Sequence, residues 1–309
     1  MAGVIDIPDE LIETQSRYNG AAGRAFVAAL PGRAAEFLER WGLRRDGEAF
    51  HGVCALVLPV VRVADGRRAA LKLQPVDEET VGEPVALRAW GEAGAGAVGL
   101  LDHDAATGTL LLEGLDGHRS LRGMADEREA VRILAGLLVR LSSVPAPAGG
   151  GLRGLGDIAA QMLEAVPGAV AVLADEEERR LLADCAAAVR EVAGEPGDRL
   201  LHWDLHYGNV LAGRAGEEGR WVAIDPKPLV GDPGFELLPA LVTRFDAAAV
   251  RWRFDLLTEA LGADRARARA WTLGRLLQNG LWAVSGGARR LEPEQAETAR
   301  QLLGRGRRS

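Results

Sequence analysis

The segment His202-Trp203-Asp204-Leu205-His206-Tyr207-Gly208-Asn209-Val210, followed after a short gap by Ile224-Asp225-Pro226, constrains this chain more than any other. It reads His-x-Asp-x-x-x-x-Asn, then an aliphatic residue and a second Asp. Asp204 falls on a loop between apolar segments, where a carboxylate faces a cleft. Alone it would be an ordinary solvated loop Asp. Asn209 alone would be a turn residue after Gly208, and Asp225 a turn before Pro226. Together they form a set: one carboxylate to take a proton from an attacking group, and an amide plus a carboxylate to hold a hard divalent cation. Mg²⁺ takes few protein oxygens and fills its shell with phosphate oxygens and water. Any fold for this chain must bring a loop and a strand end side by side to assemble them.

Those parts are the parts of phosphoryl transfer from ATP to an alcohol. Asp204 is then the base or hydroxyl-orienting group, and Asn209 and Asp225 hold Mg²⁺. Such a site also needs a cation on the nucleotide phosphates. The chain has 37 basic residues, and two are lysine, Lys72 and Lys227; arginine takes the other cationic positions. A lysine kept in an arginine-biased chain points to a need for a compact ammonium. Lys72 lies in Ala69-Ala70-Leu71-Lys72-Leu73, a strand pattern following the hairpin signal Asp65-Gly66. Its expected ion-pair partner is a Glu on the next helix, Glu83 ahead of Glu79, which a helix would place on one face. No Gly-x-Gly-x-x-Gly precedes Lys72. Gly47 and Gly52 bracket a loop that would cover the phosphates through its backbone. Glu113 to Leu115 is the expected hinge, with backbone groups pairing with adenine.

The pattern along the chain fits a two-lobed molecule. Residues 9–41 are helical in pattern, with breaks at Asn19-Gly20 and Pro31-Gly32. A β-branched run, 53–63, and the Lys72 strand precede a helix over 77–92 and two more strands, 98–101 and 109–113. After Gly117 the chain turns mostly helical: 127–144, a Pro- and Gly-rich loop over 145–156, and a helix to Gly194 opened by Asp175 with Glu178 as a capping signal. A short strand ends at Asp225, and further helices follow near 234–243, 246–261, 264–283 and 293–303. Residues 304–309 read as a frayed basic tail. The expected division is 1–115, nucleotide binding, and 116–309, catalytic loop and acceptor binding.

Composition narrows the partners. The net charge of −7 disfavours nucleic acid and suits a cationic small molecule. Cys54 and Cys185 cannot make a disulfide framework and read as small core residues. The first ten residues carry Asp6, Asp9 and Glu10 and no basic stretch, and no window approaches 18 uncharged apolar residues. A cytoplasmic protein with no membrane partner is expected. A rival reading places His202, Asp204 and His206 on one strand face as metallohydrolase ligands, but leaves Asn209, Asp225 and Lys72 without a role. His202 otherwise reads as a loop-orienting residue. Asp232 reads as a brace for the catalytic loop or as a helix cap.

His202–Val210, 224–233 and Leu71-Lys72 resemble the aminoglycoside phosphotransferase group, and more narrowly its streptomycin 6-phosphotransferases, within the aminoglycoside/hydroxyurea antibiotic resistance kinases. Residues 87–91, 100–104, 153–156 and 271–279 share that family's texture. The resemblance implies an α+β, protein-kinase-like bilobal fold: an antiparallel-sheet N-lobe with one main helix, and a mostly helical C-lobe. It implies ATP, Mg²⁺ and an aminoglycoside acceptor, phosphorylated at a position such as the streptomycin 6-hydroxyl; kinases of hydroxyurea share the family. A guanidinium-bearing acceptor calls for carboxylates. Glu236, Asp255 and Glu259 are the expected ones, with Trp282 as a cation–π surface. Lys227 is expected to point away from such an acceptor.

Overall fold

The computed structural model describes residues 5–149, 151–217 and 219–305; 306–309 of the expected tail lie outside them. Arg305, just before them, pairs with Asp184 rather than fraying.

The N-terminal half is built on an antiparallel sheet whose five-strand path runs β1-β3-β4-β6-β5, with β2 pairing on β3. The strands are β1 (Leu43–Arg45), β2 (Phe50–His51), β3 (Leu56–Arg62), β4 (Arg68–Leu73), β5 (Leu100–Asp104) and β6 (Thr109–Glu113). Period-two alternation assigns the faces. Leu56, Leu58 and Val60 of β3 and Ala69, Leu71 and Leu73 of β4 pack in one cluster with Leu11, Leu30 and Phe37 of helix α1 (Asp9–Arg40). The opposite face of β4 carries Ala70 and Lys72 toward the interlobe cleft. The β3–β4 turn is the expected one: Gly66 has φ 68°, where a side chain would be strained. In α1 the break at Gly20 is real, with φ 54° and ψ −124°, whereas Pro31 sits inside the helix without ending it.

Helix α2 (Glu83–Glu92) is shorter than the expected 77–92. The Asp77 carboxylate accepts from the amides of Glu79 and Thr80, and the Thr80 hydroxyl donates to Pro75 O. That closed turn holds the chain out of helix until Glu83, followed by Pro84, a residue suited to a first helical turn. On its inner side α2 joins the second, larger core: Trp90 is fully buried and its indole N–H donates to Leu141 O at 3.1 Å.

The second half is helical around two small sheets. Strand β7 (Asp116–Ser120) leads to α3 (Glu127–Ser142); β8 (Arg153–Gly154) leads to α4 (Leu155–Val172) and α5 (Glu176–Val192). Asp175 caps α5 by accepting from the amides of Glu177 and Glu178. Helix α4 starts inside and beyond the stretch expected to be loop, directly after Gly154. It is the one described helix long and apolar enough to cross a membrane, and it packs against α5 and, further on, α8. Strands β9 (Arg199–Leu201), β10 (Val210–Ala212), β11 (Trp221–Ala223) and β12 (Leu229–Gly231) are followed by α6 (Leu238–Val242), α7 (Val250–Leu261), α8 (Arg265–Ser285) and α9 (Pro293–Leu302). Cys185 is buried on α5, while Cys54, on the loop ahead of β3, is half-buried rather than a core residue.

The small sheets position the sequence motif. β12 lies between β8 and β9, and β10 lies between β11 and β7. Asp204 and Asn209 therefore fall on the β9–β10 connection and Asp225 on the β11–β12 connection. Two backbone bonds stitch the connections together: Ile224 N donates to Asn209 O at 2.9 Å and Lys227 N to His202 O at 3.0 Å.

Candidate active site

Lys72 is the centre of the buried part of the site. Its Nζ lies 2.8 Å from each Glu83 carboxylate oxygen and 2.6 Å from Asp225 Oδ1. Gln74 Nε2 donates to Glu83 Oε2 at 2.7 Å. Burial opposes the charge on Lys72, but Asp225 and Glu83 outweigh it and raise its pKa. Burial likewise opposes ionisation of Asp225, and the Lys72 ammonium beside it overrides this and lowers its pKa. Glu83, the first residue of α2, is thus the partner of Lys72; Glu79, held in the preceding turn, faces Lys227 instead, at 3.5 Å.

A cleft of about 290 Å³ opens beside this ion pair. It is lined by Lys72, Asn209 and Asp225 at one end, Phe50, His51 and Gly52 above, and Glu113, Gly114 and Leu115 at the inter-lobe connection. Glu113 itself is occupied: its carboxylate accepts from Gly99 N at 2.9 Å and from Arg220. At this connection a Cβ on Gly114 would come within 2.9 Å of the Arg68 backbone, so the hinge passes close against β4. The cleft has the shape of a nucleotide site with a flat apolar end and a charged end.

At the charged end, Asn209 Nδ2 donates to Asp204 O at 3.0 Å and approaches Asp204 Oδ2 at 3.4 Å. That fixes the amide, leaving its oxygen free for a cation. One amide oxygen and one carboxylate suit Mg²⁺ on phosphates. Among the described residues no cluster of three His, Cys, Asp or Glu forms a metal site. The metallohydrolase alternative fails on geometry too. His202 is buried, with Nε2 on Ile224 O at 3.0 Å, and His206 Nδ1 accepts from Gly208 N. Burial, opposed by Asp204 and Asp225, pushes the His202 pKa down to about 4, so the ring is neutral and packs over Trp90.

The backbone around Asp204 is strained. Trp203 has φ 67° and Asp225 φ 57°, left-handed conformations that L residues rarely adopt. Trp203 is held there by Glu236, whose Oε1 accepts from Trp203 N at 2.6 Å. Glu236 is 1% exposed; burial, opposed by the Trp203 and His202 amides, pushes its pKa up to about 7. It is therefore a brace of the catalytic loop and not an acceptor carboxylate. Asp232 does not brace that loop: it caps the turn over 233–236 through Gly234 N and pairs with Arg267 at 2.6 Å.

The other expected acceptor residues divide. Asp255 and Glu259 are exposed on α7, Asp255 paired with Arg265, and neither lines a cleft near Asp204. Trp282 does. Its ring meets Trp203 edge-on at 5.7 Å, and the Trp203 indole is stacked between the guanidinium groups of Arg275, at 4.3 Å, and Arg153, at 4.7 Å. Burial lowers the Arg275 pKa to about 10 against the pull of Asp204. Beside this stack lies a second cleft, of about 430 Å³, between α4, α8 and the turn before α2. Glu78, Arg153, Asp157, Gln161, Gln278 and Trp282 line it. Of these, sequence reasoning named Trp282 alone and missed the rest, although Arg275, Gln278 and Trp282, at i, i+3 and i+7, share one helical face. Lys227 also departs from expectation: it does not point away but stands 3.8 Å from Asp204 Oδ2.

A nucleotide-shaped cleft with the Lys72–Glu83–Asp225 ion pair at its charged end, and Asp204 tied to Asn209 of its lining, define a protein-kinase-like phosphotransferase. Residues 40–287 match the aminoglycoside/hydroxyurea antibiotic resistance kinase family, and the chain belongs to it. It is 64% identical over 307 residues, 99% of this chain and 88% of the relative, to a hydroxyurea phosphotransferase of Kitasatospora aureofaciens. It is 54% identical over 309 residues, 97% of this chain and 98% of the relative, to a streptomycin 6-kinase of Streptomyces glaucescens. The fold is shared with a thermostable mutant of the aminoglycoside phosphotransferase APH(4)-Ia solved with ADP and hygromycin B, at TM-score 0.61 and 14% identity, covering 89% of this chain and 99% of that one.

Proposed function

We propose that the protein transfers the γ-phosphoryl group of ATP to a hydroxyl of an aminoglycoside, with the 6-hydroxyl of streptomycin as the leading acceptor. The observation that carries this reading is the second cleft, about 430 Å³, whose Trp282 packs edge-on against Trp203, the residue before Asp204. It offers the Asp157 carboxylate, the Glu78 carboxylate 3.8 Å from Arg153, two amides and an indole, a lining suited to a polyhydroxylated cation that displaces Arg153 from Glu78. Hydroxyurea, with a few heavy atoms and no charge, would leave most of it unfilled.

The nucleotide lies in the first cleft, its base toward 113–115 and its phosphates toward Lys72. Mg²⁺ carried with ATP would be held by the Asn209 amide oxygen and the Asp225 carboxylate, neutralising charge on the β- and γ-phosphates. Lys72, oriented by Glu83, supplies a point charge at the phosphates. Asp204 orients the acceptor hydroxyl and takes its proton. The acceptor oxygen forms a bond to the γ-phosphorus, the bond from that phosphorus to the bridging oxygen breaks, and ADP leaves with the electron pair. Glu236 holds the strained Trp203–Asp204 backbone so that the carboxylate is placed before the acceptor arrives.

A second reading is favoured by one observation, the 64% identity to a protein named hydroxyurea phosphotransferase. Purified protein with ATP and Mg²⁺ is therefore assayed for ADP release and phosphorylated product against streptomycin, a second aminoglycoside and hydroxyurea. Phosphostreptomycin formation supports the first reading. Product from hydroxyurea alone replaces it with the second.

A further inference from the structure

Two lysines flank Asp225, and they are held differently. Lys72 is 3% exposed and fully engaged, with all its carboxylate contacts at 2.6–2.8 Å. Lys227, two residues beyond Asp225, is anchored at its backbone, where its N–H donates to His202 O at 3.0 Å. Its ammonium is loose: 3.5 Å from Glu79 Oε2 and 3.8 Å from Asp204 Oδ2, with 35% of the side chain exposed. Those distances are ion-pair distances without hydrogen bonds. Three donors on a flexible stem therefore stand between two carboxylates and are committed to neither. Lys227 also stands between neighbours of the two clefts. Asp204 is tied to Asn209 of the nucleotide cleft, and Glu79 adjoins Glu78 of the second cleft.

We propose that Lys227 is a catalytic residue whose ammonium leaves the Asp204 and Glu79 carboxylates and contacts the transferring phosphoryl group. Negative charge sits on that group's outer oxygens as it passes from ADP to the acceptor. A cation already beside the base, and pinned to it by the backbone, meets that charge without reorganisation. Lys72, deep against Glu83, serves the nucleotide end, and Lys227 serves the acceptor end. Arginine would satisfy Glu79 and Asp204 with a bidentate fork and be held by them; a lysine is released more readily. This rests on the phosphotransfer reading but not on which acceptor is used. The bland reading of Lys227 is a clasp that ties the lobes together through Glu79.

The test uses Lys227→Met and Glu79→Gln in the full-length protein, with melting temperature as a fold check and Lys227→Gln as substitute if the Met variant does not fold. Lys227→Met is expected to lower kcat about 100-fold, the scale of losing one preorganised charge at the transition state, with KM for ATP within about threefold of wild type. ADP affinity is expected to be unchanged, but the tightening of ADP binding by Mg²⁺ and fluoroaluminate, which mimics the transferring phosphoryl, is expected to be lost. Glu79→Gln removes the clasp alone and is expected to keep kcat within about threefold. Equal losses in the Lys227 and Glu79 variants, or full fluoroaluminate tightening in Lys227→Met, would overturn the proposal. If the wild type neither phosphorylates an acceptor nor tightens on ADP with fluoroaluminate, the phosphotransfer reading itself fails.

Discussion

A carboxylate that takes a proton cannot be replaced by an amide of the same size. Asp204→Asn keeps the Asn209 contact to the 204 backbone carbonyl and so keeps the loop. It is expected to fold, bind ATP as before and lose roughly 10²–10⁴ in kcat; wild-type turnover would remove Asp204 from the mechanism. Lys72 behaves otherwise because it is both a site residue and a buried ion. From its strand position alone, Lys72→Arg is expected to weaken ATP use while leaving stability nearly untouched. With the ammonium 3% exposed and against two carboxylates, that expectation changes. Lys72→Met would leave Glu83 buried without its cation and is expected to cost about 3–5 kcal/mol of stability as well as ATP use. Chemical denaturation of the variant beside its kinetics checks this; an unchanged midpoint would show that Glu83 is not held by Lys72.

At the scale of elements, the catalytic loop depends on a carboxylate on the connection after β12. Glu236 Oε1 accepts from the Trp203 amide at 2.6 Å, while Oε2 is buried without a hydrogen-bond partner. Glu236→Gln can keep one oxygen on the Trp203 amide but puts an NH2 group where the unpartnered Oε2 was, buried with no acceptor in reach. It is expected to destabilise by about 1–3 kcal/mol and to lower kcat by about 10- to 100-fold by misplacing Asp204. The loss should be similar for every acceptor and for background ATP hydrolysis. A rise in acceptor KM with kcat intact would return Glu236 to the acceptor site. This residue also shows where the sequence was legible. Asp204, Asn209 and Asp225 carry their relation in local spacing, and the Lys72 hairpin carries its own turn. Glu236 looked like an acceptor group because nothing local says that its side chain turns inward onto residue 203. The stack of Arg153, Trp203, Arg275 and Trp282 joins three distant segments and has no single-segment signature. The same limit explains Glu79. As a helical residue it would share the Glu83 face, but side-chain bonds at Asp77 and Thr80 close a turn there and delay the helix to Glu83. Helix α4 was hidden by the Pro- and Gly-rich run over 145–156, which overlaps its first two residues.

For the molecule as a whole, the neutral His202 couples the site to stability against acid. Burial pushes its pKa to about 4, opposed by Asp204 and Asp225, from an ordinary 6.5. Between those values the unfolded chain binds a proton that the folded chain refuses. Stability then rises with pH across this window. The contribution is fully present above pH 6.5, is lost as the pH falls, and levels off below about 4. A shift of this size corresponds to about 3 kcal/mol, a large share of a typical folding free energy. The group is fully buried, so solvent does not discount it. His202→Gln removes the titration and keeps an N–H in reach of Ile224 O, the bond that ties the two motif connections together. The variant is expected to be less stable than wild type near pH 7, because the Gln side chain cannot reproduce the imidazole packing over Trp90. Its stability should nevertheless fall by about 3 kcal/mol less than that of wild type between pH 6.5 and 4. Denaturant unfolding at half-unit steps of pH reads both curves. Parallel curves would mean that His202 is protonated in the folded protein or that the loop opens before it titrates, and the acid sensitivity would then belong to other groups.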